Sequence, residues 1–141
     1  MKRILSIMAL AALALSINSC GFFVLSETPP ASVTKASNIA LYKKAVAGDP
    51  GALWTIGSYY NLGLEGFPKN IAKADLCYRK ASNAGSGIAS MTMCQRSFQR
   101  GSYSLAIHYG ELALRQGGVN KEQVDSLIAR SRAMLHSPYG Y

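Results

Sequence analysis

Apolar and polar residues alternate along this chain in two distinct ways. Residues 4–17 form one apolar run, while from about residue 37 onward apolar residues recur every three or four positions in short amphipathic blocks. Such spacing puts the apolar residues of a block on one helical face. The blocks cover residues 40–48, 52–62, 76–85, 88–99, a weaker one that carries Leu105, Ala106, Ala113 and Gly117, and 121–136. Turn-forming residues separate them. Each block is too short to stand alone as a helix in water, so the faces must be buried against one another. An all-α fold of about six helices is expected over residues 37–136.

The blocks repeat. Tyr42 and Ala45, followed by Gly48, return as Tyr78 and Ala81 at an offset of 36, followed by Gly85. A weaker copy places Leu105 and Ala106 where Lys73 and Ala74 stood, and Ala113 and Gly117 where Ala81 and Gly85 stood, at an offset of 32. Two kinds of helix therefore alternate, A and B, with a glycine closing the B type. Residues 50–89 resemble one full SEL-one-like repeat, a relative of the tetratricopeptide repeat. Helix A carries Ile56, Gly57, Tyr59 and Tyr60, the loop carries Gly63, Gly66 and Pro68, and helix B carries Lys73, Ala74, Tyr78, Lys80, Ala81 and Gly85. Gly57 and Ala74 are small where two helix axes approach, and Gly63 and Gly85 can take positive φ. The loop from Gly63 to Gly66 is one residue longer than the family's usual form, and Cys94 stands where helix A of the next unit has its glycine.

The resemblance implies a short right-handed solenoid of antiparallel helix pairs. Residues 121–136, with Asn120 as N-cap and Val124, Leu127, Ile128 and Leu135 on one face, suit a terminal cap with its charged side, Arg130 included, outward. In this repeat class the A helices line the concave side. That register points Trp54, Ser58 and Asn61, then Met91, Gln95 and Phe98, into a partner-binding groove; Trp54 could equally cover a neighbouring repeat. Members of the family act in assembling protein complexes.

The apolar run at residues 4–17 changes the setting. It follows Lys2 and Arg3 and leads into Asn18, Ser19 and Cys20. It is also shorter than the roughly 20 residues that cross a hydrocarbon core. Residues 1–19 are therefore expected to be a signal peptide. The sequence from Ile17 to Cys20 resembles the lipobox of bacterial lipoproteins, which implies cleavage before Cys20 and acylation of that residue (palmitate among the chains). Residues 20–36, with Pro29, Pro30 and several Ser and Thr, are expected to be the lipidated cysteine and a flexible tether, and 137–141 a C-terminal tail. The expected location is the bacterial envelope, anchored through the lipid and facing the periplasm. Gly21 after the cysteine suggests the outer membrane.

Charge and chemistry narrow the function further. The chain carries a formal charge of +8, which falls to +6 without Lys2 and Arg3, and its basic residues are spread over the helices. A solvated surface or an acidic partner accounts for that spread, and no nucleic-acid motif is present. Cys77 and Cys94 can form a disulfide in an oxidising compartment or remain buried thiols. No spacing suits a metal or cofactor, and none is expected. His108 and His136 are expected to face solvent, and the lack of hydrolase, metalloprotease or phosphate-loop motifs disfavours an enzyme. The expected function is a lipid-anchored protein-protein interaction adaptor whose groove captures a segment of an unidentified envelope protein. A cell-wall or glycan scaffold, an immunity or inhibitor protein, and a peptidoglycan-active accessory enzyme using His108 or Asp75 are the alternatives. Oligomeric state is left open.

Overall fold

In the computed structural model, which describes residues 25–137, the chain forms six helices and, among those residues, no strand. They are α1 (Ala36–Val46), α2 (Pro50–Leu62), α3 (Ile71–Asn83), α4 (Gly87–Gln99), α5 (Tyr103–Gln116) and α6 (Lys121–Leu135). The signal peptide, Cys20 and the tail from residue 138 lie outside the described residues. Local chemistry sets the boundaries. Asp49, Asn70, Ser86 and Asn120 each accept a hydrogen bond from the backbone N–H three residues on, at 2.7 Å, 2.9 Å, 3.3 Å and 3.0 Å. Each bond satisfies a donor that the helix leaves free. Pro50 opens α2, and Gly63 closes it with φ 71°.

Each helix packs chiefly on its neighbours in sequence, with α4 also touching α6. Named contacts give the directions. Asn38 bonds to Glu65 just past α2, Asn70 N–H donates to Tyr60 O, Asp75 meets Arg96, and Phe98 meets both Tyr103 of α5 and Arg130 of α6, so consecutive helices run antiparallel. Across alternate helices, Trp54 bonds to Thr92, Asn61 to Arg96, and Gln116 to Ser82, a parallel alignment. One end of the molecule therefore holds the starts of α1, α3 and α5 and the ends of α2, α4 and α6.

The core is a row of small and aromatic residues. Ala74, Ala81, Ala89, Ala106 and Ala113 are fully buried, and Tyr42 and Tyr60 fill the spaces beside α2 and α3. Gly57 holds α2 close to α3, since a Cβ there would lie 2.8 Å from the Tyr78 ring and 3.1 Å from Cys77 Cβ. In the next hairpin the two small residues change places. Cys94 is on the first helix and Gly110 on the second, where a Cβ would fall 3.3 Å from Cys94 Sγ and 2.6 Å from Ile128.

Of the two states left open for Cys77 and Cys94, the structure has the buried free thiols, Cys77 facing the α2–α3 seam and Cys94 the α4–α5 seam. One expectation is corrected. The tether expected over residues 20–36 is not free from Leu25 onward. Leu25 and Val33 are buried in the core, Tyr42 Oη donates to Ser26 O at 3.0 Å, and Ser32 Oγ donates to Gly66 O at 2.5 Å. The loop residues Glu65 and Gly66 receive this segment. Glu65 adopts φ 57° and accepts from Lys35 Nζ at 2.7 Å and Asn38 Nδ2 at 2.8 Å, while Gly66 lets Ser32 O approach to where a Cβ would be. Phe67 follows and is buried against Tyr42, Tyr59 and Tyr60.

Candidate interaction cleft

Along α4, Met91, Gln95 and Phe98 are spaced by four and three residues and share one face. On α6, Gln123, Leu127 and Arg130 do the same. Because α6 lays Val124 and Ile128 against α5, this second face turns toward α4, and the two faces enclose an open cleft of about 730 Å³. Gln99, Glu122 and Ser126 complete its rim. Its apolar floor is Met91, Phe98 and Leu127. Phe98 is held edge-on by Tyr103 at 5.6 Å, and the Arg130 guanidinium lies 4.6 Å above its ring. Arg130, expected on the outer side, is thus a cleft residue.

The six residues expected to form one groove divide into two sets. Met91, Gln95 and Phe98 line the cleft, but Trp54, Ser58 and Asn61 are engaged inside the molecule. The half-buried Trp54 indole donates to Thr92 Oγ1 on α4 at 3.2 Å. Ser58 Oγ donates to Trp54 O and accepts from Tyr78 Oη. Asn61 accepts from Arg96, whose Nε also binds Asp75, and Arg100 binds the other Asp75 oxygen. These side chains tie α2 to α3 and α4. The cleft instead draws its second wall from α6, whose cleft-facing residues include Glu122 and Arg130, charged residues that marked it as an outer surface.

The titratable groups mark rigid interior sites and one surface latch. Burial pushes the Cys77 thiol up to about 12, partly offset by Lys80 and Lys73, and the Cys94 thiol up to about 11. Burial also raises Tyr60. At the surface, the Lys35 hydrogen bond, then that of Asn38, lowers Glu65, and Glu65 raises Lys35. His108 is exposed on α5, and His136 Nδ1 lies 2.8 Å from Arg132 O. Among the described residues, no group of His, Cys, Asp and Glu is placed to hold a metal, and no helix is long and apolar enough to cross a membrane. No family model, curated protein or solved structure matches the chain.

Proposed function

We propose that this chain is a lipid-anchored, periplasm-facing adaptor of the SEL-one-like type, whose α4–α6 cleft captures an extended segment or helix of a partner protein. The observation that carries this reading is the cleft's composition. An apolar floor of Met91, Phe98 and Leu127 lies beside Gln95, Gln99 and Gln123, whose amides both donate and accept, as a peptide backbone requires. Phe98 and Arg130, stacked on each other, are of the residue types that dominate binding energy at protein interfaces.

The antiparallel order of consecutive helices and the parallel alignment of alternate ones support a stack of helix pairs, and the family resemblance implies a right-handed solenoid. The positive residues, apolar run and Cys20 of the leader support the anchor. Concentrating the adaptor on one surface would strengthen weak capture. In-cell photo-crosslinking from positions 98 and 127 of the intact protein, with position 108 on the exposed side of α5 as control, tests the reading. One dominant protein adduct from the cleft and not from the control is expected. Equal adducts from both faces, or none, would overturn the cleft reading and favour the glycan-facing scaffold.

A further inference from the structure

Eight large apolar side chains are exposed among the described residues, and their distribution along the helix axes is uneven. Leu62, Leu64, Ile71, Leu105, Met134 and Leu135 all lie at the end where α2 and α6 finish and α3 and α5 begin. Only Val46 and Ile88 lie at the other. Leu62, the most exposed at 60%, and Leu64 flank the loop glycine Gly63, with Lys69 exposed just beyond. Apolar residues gathered on one surface next to a cation suit the interfacial zone of a bilayer with anionic headgroups.

The docked segment brings that same end to the membrane. Ser32 and Lys35 bond to Gly66 and Glu65 at that end, and Ser26, next to Leu25, bonds to Tyr42, whose ring packs on Phe67 of the same loop. Leu25 is five positions beyond Cys20. A fully extended chain covers that separation with at most about 18 Å. A helix of the length of α2 measures about 20 Å along its axis. With residues 25–35 docked and Cys20 acylated, the domain is held within about one helix length of the bilayer, and the end that gathers the exposed apolar residues is the one suited to meet it. We infer that the loop end bearing Leu62, Leu64 and Ile71 rests on the lipid surface, so that the helices stand along the membrane normal and the α4–α6 cleft opens sideways, in the plane of the membrane.

This orientation rests on the proposed acylation of Cys20, and the test separates the two. The full-length protein is purified from envelopes and reconstituted in vesicles of phosphatidylethanolamine and phosphatidylglycerol, carrying a nitroxide at Leu64→Cys, Ile71→Cys or Val46→Cys. The buried Cys77 and Cys94 should take no label, which the unsubstituted protein checks. At positions 64 and 71, collisions with oxygen should exceed those with a water-soluble nickel chelate severalfold, and position 46 should show the reverse. Aqueous behaviour at all three sites in protein whose intact mass includes the acyl chains would overturn the orientation and leave the anchor standing. An intact mass without acyl chains would remove the anchor and the orientation with it.

Discussion

Gly51 and Gly57 share α2 and should respond oppositely to one change. A methyl group at Gly51 would meet only Asp49 Oδ1, at an ordinary 3.5 Å. Gly51→Ala should therefore stabilise by about 0.5 kcal/mol through the unfolded chain's lost freedom. At Gly57 the same methyl meets a buried ring and a Cβ, neither of which can swing away. Gly57→Ala should destabilise by about 1 kcal/mol or somewhat more. Urea melts of the two variants check the signs. The exchange of cysteine and glycine between the two hairpins predicts more. Gly57→Cys should be strongly destabilising, and adding Cys77→Gly should restore part of the loss, a coupling that independent sites would not show. The thiols have their own signature. Their folded pKa values of about 12 and about 11 exceed the ordinary thiol value, so the folded state holds protons that the unfolded state releases. Their contribution to stability is intact below the unfolded pKa, about 8.5, and is lost as pH rises through the folded values. Native protein at pH 8 should resist alkylation and become reactive in urea. A Cys77→Ala, Cys94→Ala variant should lose less stability than the parent between pH 8 and 10.

Among elements, the N-terminal segment and the α2–α3 loop depend on each other. Lys35 and Asn38 hold Glu65 in a left-handed conformation that glycine would prefer. Glu65→Gly should therefore keep the loop while releasing the segment, and limited proteolysis should then cut within residues 25–35. Acid should act likewise. Because the latch lowers Glu65, its contribution is present above the unfolded carboxylate pKa, about 4.3, and fades as pH falls through the lowered folded value. Cleavage in this segment should accordingly rise below about pH 4. Unchanged digestion in both cases would show that Leu25 and Val33 hold the segment unaided. The helices themselves were legible, since apolar period, closing glycines and the Asn120 cap are local signals. The docking was not, because Leu25 and Val33 sit among Ser, Thr and Pro that read as linker, and only Glu65, far along the chain, gives Lys35 its role. Phe67 was hidden in the same way, as one apolar residue in a glycine-rich loop. One wall of the candidate cleft was legible from the register of α4. The other wall depends on the roll of α6 about its axis, which is set by Gly110 admitting Ile128, a contact that no spacing within α6 encodes.

For the whole molecule, packing is mainly between sequence neighbours, with side-chain bonds reaching to the next helix but one, so stability should be close to a sum of intrinsic and near-neighbour terms. The last helix is the informative case. It covers Gly110 and Ala113 with Ile128 and Val124, and it also forms the second wall of the cleft. Ending the chain after residue 120 should expose the inner face of α5 without disturbing the Tyr42–Tyr60–Phe67 core, so the truncated protein should keep most of its helicity yet self-associate on a sizing column. Polar replacement on the cleft side separates the two roles of α6. Leu127 is only partly buried. Leu127→Ser should cost about 1 kcal/mol or less and leave the sizing profile unchanged, while removing the cleft crosslink from position 98. Loss of folding in Leu127→Ser would mean that α6 serves the core alone. Retained folding with an intact crosslink would mean that the partner does not read the α6 wall, and would confine recognition to Met91, Gln95 and Phe98.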